Sequence, residues 1–253
     1  MAPSSEASSS RIPGQRPPPT KVNNDGFTTL ACPDAPGVDI IFIHGLQGHP
    51  ERSWIGTNTA NKKVFWPLEA LPEDRPDVRV MTYGYDSRIS RGPMQGACQM
   101  NISEQGRAFL SNIVAQRRNC QGRPLVIVAH SLGGLITKRA LIDSWRAMDK
   151  DIRSVWSATR GIMFFGTPHR GSNDAAWLEL AGRVALIFQV PTHRGIIHEL
   201  DPGQRSSTLE SLREDFCRMY QANSEIKGFS FLENRGKPGP AFLNSQVCMF
   251  SSA

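Results

Sequence analysis

The pentapeptide Ala129-His130-Ser131-Leu132-Gly133 constrains this chain more than any other stretch. It follows the aliphatic run Leu125-Val126-Ile127-Val128 and precedes a helical pattern that begins near Leu135. A serine between a strand and a helix sits on a turn so tight that only small residues fit two positions to either side. Its hydroxyl is held clear of the backbone at the mouth of a pocket, over the positive end of the helix. Ala129 stands where glycine is common in such turns, and a methyl group is tolerated there. Ordinary strand-to-helix turns also match five residues by chance. Here the preceding run is aliphatic enough for a strand buried on both faces, and a second motif upstream reinforces the reading of Ser131 as a nucleophile.

That second motif is His44-Gly45-Leu46-Gln47-Gly48-His49, directly after the strand pattern Val38-Asp39-Ile40-Ile41-Phe42-Ile43. In acyl transfer the carbonyl oxygen becomes an anion in the transition state, and two backbone N–H groups must already be aimed at it. One comes from the residue after the nucleophile, Leu132, and the other from the loop after the earlier strand, where Leu46 follows His-Gly. His44 and His49 also invite a metal reading. Two histidines on a glycine-rich loop with no cysteine or carboxylate cluster make a poor metal site, so no metal and no cofactor is expected.

A third segment, Gly161-Ile162-Met163-Phe164-Phe165-Gly166-Thr167-Pro168-His169-Arg170-Gly171-Ser172, reads as a buried strand that stops at a Gly/Pro-rich loop. Taken in order, I-I-F-I-H-G-L-Q-G-H, W-P-L-E-A-L-P, T-Y-G-Y-D, A-H-S-L-G-G-L and G-T-P-H-R-G-S resemble one group of α/β-hydrolases. These are the lipase-like serine esterases similar to the serine active site-containing protein of mitochondria and the endoplasmic reticulum. Fungal domains of this type often precede NACHT or ankyrin regions in receptor-like proteins. The resemblance covers roughly residues 37 to 233.

The resemblance implies an α/β-hydrolase fold and hydrolysis of an ester-linked acyl group through an acyl-Ser131 intermediate. It further implies an ester or lipid substrate, peripheral membrane association, and a mitochondrial or endoplasmic-reticulum location, with the cytoplasm as the alternative. It places a Phe-x-Glu at the end of a late strand, matched by Phe231-Leu232-Glu233, so Glu233 is the expected triad acid, with Asp174 as the first alternative. In the family the base lies after one further strand. Here all six histidines, His44, His49, His130, His169, His193 and His198, precede Glu233. Without a base a serine hydroxyl is a weak nucleophile. Three readings follow: a truncated product of a longer hydrolase, a catalytically silent interaction module, or a base supplied out of the usual chain order by His169, His193 or His198. The first is favoured for origin and the second for behaviour.

Of the 253 residues, 1–27 form a Ser/Pro-rich tail without a core of its own, expected to be disordered, and 28–253 make one enzyme-sized domain. No apolar run approaches the roughly 20 residues of a spanning helix. The five cysteines show no paired or metal spacing, which suits a reducing compartment. A net charge of +6 would suit an anionic partner. The basic pairs Lys62-Lys63, Arg117-Arg118 and Lys138-Arg139 belong to no nucleic-acid motif, and read as solvated surface.

Strand and helix patterns alternate. A short helix over Phe65–Leu71 ends at Pro72, a strand spans Asp77–Tyr83, and Asn101 with Glu104 forms a capping box for a helix striped by Ile102, Phe109, Leu110, Ile113 and Val114. This order predicts a doubly wound, mostly parallel sheet covered on both faces. An apolar segment at about 173–205 reads equally as a lid or as a core-facing helix. Thr208–Gln221 reads as a surface helix and Ile226–Leu232 as a strand. The C-terminal strand and helix look incomplete, with Gln246–Phe250 able to pair at the open edge, so self-association through that edge is expected.

Overall fold

The computed structural model describes residues 21–87, 102–167, 202–232 and 246–249. Apolar runs, near-continuous in the inner strands, build β1 (Gly26–Ala31), β2 (Val38–Ile43), β5 (Val78–Gly84), β6 (Leu125–His130), β7 (Thr159–Phe165), β8 (Lys227–Leu232) and β9 (Gln246–Met249). They join in one sheet of order β1-β5-β2-β6-β7-β8-β9. The inner run from β5 to β8 is parallel, and the two margins, β1 on β5 and β9 on β8, are antiparallel. Gln246–Met249 therefore pairs on β8, in the place expected from the sequence.

The pleat sends neighbouring residues of one strand into two different cores. Ile41 and Ile43 of β2, Met81 and Tyr83 of β5, and Ile127 of β6 face one side, with Phe109 and Ile113 of α3 (Ile102–Arg117), Leu135 and Leu141 of α4 (Leu132–Arg146) and Val155 of α5 (Lys150–Ala158). Phe216 and Met219 of α6 (Pro202–Gln221) close the same side. Phe42, Val80 and Val128 face the other side. There they meet Trp54, Phe65 from the hairpin β3 (Ile55–Thr57) and β4 (Lys63–Phe65), and Trp66, Leu68 and Leu71 from two short helices, α1 (Trp66–Glu69) and α2 (Leu71–Asp74). Each fully buried Ile, Leu or Phe contributes roughly 1.5–3 kcal/mol, so the parallel strands are held from both faces. The longer helices among the described residues all lie on the first face.

Several features differ from the sequence reading. The chain joins the sheet at Gly26, and Val22 is already in the core, so ordered structure begins before position 28. Pro72 does not end a helix; it occupies the first turn of α2, where its missing N–H costs nothing. Asn101 falls outside the described residues. The segment at 168–201 does too, and Pro202 to Arg205 of the expected lid belong to the start of α6. Helix α5 carried no expectation at all. Its N-cap is Asp149, whose carboxylate accepts from the N–H groups of Asp151 and Ile152, an arrangement worth about 1 kcal/mol. Ser144 then fastens α4 to α5 by donating to the Ile152 carbonyl at 2.7 Å and accepting from Trp156 N–H at 2.8 Å.

In two of the basic pairs one residue is not solvated surface: Arg117 and Lys138 are buried. Asp39 on β2, fully buried, accepts both prongs of Arg79 on β5 at 2.8 and 2.7 Å, Arg123 at 3.0 Å, and Arg117 from the end of α3. Arg117 is 1% exposed and also donates to the carbonyls of Gln121 and Arg123, closing the C-terminus of α3. A sequence pair of arginines looks solvated because the carboxylate that draws one inward lies 78 residues away. Lys138 is buried too, its ammonium 5.6 Å from the ring centroid of Phe164 and 5.5 Å from that of Phe216.

Candidate active site

Strand β6 ends at His130, and α4 begins at Leu132, leaving Ser131 alone to turn the chain. Its backbone takes φ 50° and ψ −118°. That conformation costs an L-residue about 1–3 kcal/mol and persists only where the surroundings enforce it. The enforcement is visible: Ser131 N–H donates to the carbonyl of Phe165, the last residue of β7, at 2.8 Å, and Gly134 N–H donates to the Ser131 carbonyl at 3.0 Å. Thr167, just past β7, donates its hydroxyl to the same carbonyl at 3.2 Å.

The loop after β2 packs directly on this turn. A side chain on Gly45 would stand 2.8 Å from Ser131 Cβ and 2.9 Å from His130 Nδ1, and one on Gly133 would run into the carbonyls of His44 and, at 2.8 Å, Ile43. Both positions therefore require glycine for close approach. The three motifs separated in sequence, at 44–49, 129–133 and 161–167, converge on one serine at the C-terminal ends of β2, β6 and β7, where ligands bind in parallel α/β sheets.

Within the loop, Gln47 at φ 52° donates its N–H to the Ser87 carbonyl at 3.3 Å, and Gly48 N–H returns to the Gly45 carbonyl at 3.0 Å. Among the described residues no protein acceptor takes the N–H of Leu46. Leu132 is buried at the first position of α4, where its N–H has no partner within the helix.

The two loop histidines are committed to the backbone. His44 is 1% exposed; its Nδ1 lies 2.9 Å from the Gly45 carbonyl, and its ring stacks on Tyr85 at 4.4 Å. Because a carbonyl only accepts, the proton sits on Nδ1. Burial, with smaller effects of nearby His49 and His130, lowers the His44 pKa to about 4, and the Gly45 hydrogen bond only partly opposes this. Tyr85, its own pKa pushed up by burial, donates to the His44 carbonyl at 2.9 Å. His49 Nδ1 accepts from the N–H groups of Glu51 at 3.1 Å and Arg52 at 3.3 Å, so this ring organises the turn that follows. Sequence reading missed both structural duties, since nothing in a histidine's neighbours reveals which carbonyl its ring will meet.

Strand β8 delivers Phe231 level with Phe165 of β7, itself level with His130 of β6, and the two Phe rings stack at 4.4 Å. Gly166 N–H donates to the Phe231 carbonyl at 2.9 Å. Glu233, two residues further on, lies outside the described residues, as do Asp174, His169, His193 and His198. A polar cavity of about 580 Å³ opens beside the loop, lined among others by His44, Gln47, His49, Arg52 and Asp25. Among the described residues no group of three His, Cys, Asp or Glu is placed to hold a metal, and no helix is long and apolar enough to cross a membrane.

A mostly parallel sheet carrying a strained serine elbow between strand and helix defines the α/β-hydrolase fold. The chain is similar to the zebrafish (Danio rerio) Protein SERAC1, 31% identical over 210 residues, covering 77% of this chain and 30% of the relative. It is also similar to the human (Homo sapiens) Protein SERAC1, 29% identical over 224 residues, covering 83% and 31%. The chain thus spans about a third of the length of the curated relatives it matches. No protein-family model matches it. Among solved structures, the mature lipase BlEst2 of Bacillus licheniformis aligns at TM-score 0.47 with 18% identity, over 87% of this chain and 76% of that one. The type II thioesterase YbtT aligns at TM-score 0.38 with 15% identity, over 75% and 67%.

Proposed function

We propose that the chain carries a serine hydrolase site of the esterase or lipase class, in which Ser131 takes up the acyl group of an ester. The observation that carries this reading is the Ser131 backbone at φ 50° and ψ −118°, pinned by the Phe165 carbonyl with the Gly45 loop pressed against it. Strain of this size at a serine calls for a functional explanation, and in this reading it presents the hydroxyl to two backbone N–H groups. Leu46 and Leu132 supply those donors, and Glu233 is the acid that orients and stabilises the imidazolium. His44 is a poor base because burial holds its pKa near 4, and the His49 ring organises the turn at Glu51 and Arg52. His193 and His198 are the first to test, then His169. The ester is lipid-like on the strength of the family resemblance, and the protein meets it at a membrane surface.

The test is turnover of short- and long-chain acyl esters by the full chain and single variants. Ser131→Ala should abolish hydrolysis, and Glu233→Gln should lower kcat on the order of 10⁴-fold with the fold unchanged. One histidine-to-alanine change among the three should match the Ser131→Ala loss. Hydrolysis that survives Ser131→Ala would remove the nucleophile from the reading. No hydrolysis of any ester would leave the catalytically silent module, whose elbow serves only binding.

A further inference from the structure

In the hydrolase reading the N–H groups of Leu46 and Leu132 receive the oxyanion, and each belongs to a peptide unit whose carbonyl is held twice. A trans peptide is planar, with its C=O and the following N–H pointing opposite ways. Whatever fixes the carbonyl of one residue therefore aims the N–H of the next. The Leu132 N–H shares its plane with the Ser131 carbonyl, and the Leu46 N–H with the Gly45 carbonyl.

The Ser131 carbonyl accepts from Gly134 N–H at 3.0 Å and from the Thr167 hydroxyl at 3.2 Å. The first bond is part of the opening turn of α4. The second arrives from the end of another strand. Gly166, at φ 54° and with its N–H on the Phe231 carbonyl, turns the chain beyond β7 so that Thr167 lies against α4. Thr167 is buried there, and a side chain on Gly134 would collide with its hydroxyl.

The Gly45 carbonyl has the same arrangement. It accepts from Gly48 N–H at 3.0 Å, a bond of the local turn, and from His44 Nδ1 at 2.9 Å. The His44 ring is buried and held flat against Tyr85, and a side chain on Gly48 would stand 2.8 Å from both the Gly45 carbonyl oxygen and His44 Nδ1. One partner is enough to satisfy a buried carbonyl. The turn N–H already supplies it in both places, so the second donor is left with a different effect: it fixes the plane and polarises the peptide unit, which strengthens the opposite N–H as a donor.

We infer that Thr167 and His44 are a matched pair of positioning residues, each holding the peptide unit that aims one oxyanion donor, Leu132 for Thr167 and Leu46 for His44. The inference rests on the hydrolase reading for the word oxyanion, and the holding of each peptide unit does not.

The experiment measures kcat and KM for 4-nitrophenyl butyrate in the full chain, together with ¹⁵N relaxation of the Leu46 and Leu132 amides. Thr167→Val and His44→Phe keep the shape of the side chain and remove its donor, whereas Thr167→Ser and His44→Asn retain one. Since losing an oxyanion donor outright costs about 100- to 1,000-fold, misaiming one should lower kcat about 10- to 100-fold with KM within about twofold, and the donor-bearing variants should recover most of it. Thr167→Val should loosen the Leu132 amide alone, and His44→Phe the Leu46 amide alone. A rise in KM at unchanged kcat, or a Thr167→Ser protein as slow as Thr167→Val, would make these packing residues and overturn the inference. Amides that keep their order in the donor-free variants overturn it equally. If the unaltered chain turns over no ester, the hydrolase reading fails by itself and the amides still decide: selective loosening, reversed by Thr167→Ser and His44→Asn, keeps the holding role, and unmoved amides remove it.

Discussion

The two ends of the parallel sheet are built on opposite terms. At the C-terminal ends of β2, β6 and β7 a serine is held in a strained conformation, glycines let the backbone crowd around it, and the buried His44 Nε2 has no partner among the described residues. At the N-terminal ends, Asp39 is saturated by Arg79, Arg117 and Arg123, and the Cys120 sulfur lies 3.4 Å from Arg79 Nη2. One end keeps donors and acceptors in reserve. The other spends them on holding β2, β5 and the end of α3 together. The contrast teaches that the elements that stabilise the sheet and those that form the candidate site are separate, so single substitutions are expected to move one without the other.

The largest effect is expected at the clamp. Asp39→Ala leaves buried guanidinium groups with no carboxylate, and breaking a buried pair in this way costs roughly 3–5 kcal/mol. Denaturant unfolding should show that loss. In protein still folded, probe labelling of Ser131 should keep its rate, and a parallel fall in both would join what the comparison separates.

Next in size is the acid response of the reactive end. His44 titrates near 6.5 when unfolded and near 4 when folded, so between those values the unfolded chain alone takes up the proton. The His44 contribution to stability is constant above about pH 6.5 and falls by about 3 kcal/mol as the pH approaches 4. His44→Asn keeps a donor for the Gly45 carbonyl and should remove that part of the slope. An unchanged slope would assign it to carboxylates elsewhere.

Lys138 on α4 gives a pH dependence of the same sign in a more alkaline range. Burial lowers its pKa from 10.5 to about 8, with Arg213 adding to the effect and Cys217 opposing it. Below pH 8 the folded chain bears the cost of a buried charge, and stability rises from pH 8 toward 10.5 as the folded lysine alone sheds its proton. Lys138→Met should stabilise the protein at neutral pH by about 1–2 kcal/mol and flatten that rise, the gain being limited by lost contact with the Phe164 and Phe216 rings. Destabilisation would show that the contacts with the two rings outweigh desolvation.

The smallest effect is at the elbow itself. Glycine accepts the Ser131 backbone angles without strain, so Ser131→Gly should raise stability by about 1 kcal/mol while ending all labelling. A loss of stability would mean that the hydroxyl, and not the strain, matters to the fold.

What could be read in the chain divides along the same line. The reactive end is made of local patterns: a strand, one serine, small neighbours and a helix. The turn at Ser131 and the close approach of Gly45 and Gly133 are therefore legible as local structure, and the structure brings the 44–49 loop onto Ser131. The clamp joins residues 39, 79, 117 and 123, and a pairing at such separations leaves no local trace, so Arg117 passed for a surface charge. Lys138 passed for one as well, because its burial comes from α6, far along the chain. The hairpin β3–β4 and helix α5 were missed for a different reason, being too short for periodicity to mark. Glu233 rests on the strand that precedes it and on the family pattern.

The most direct test of the central claim is covalent capture of the serine. The full chain is treated with a fluorophosphonate, digested, and the modified residue located by mass spectrometry, alongside Ser131→Ala. The account predicts one adduct, on Ser131, that vanishes in the variant and is lost on prior unfolding. An adduct on another residue, or labelling that survives Ser131→Ala, would contradict it.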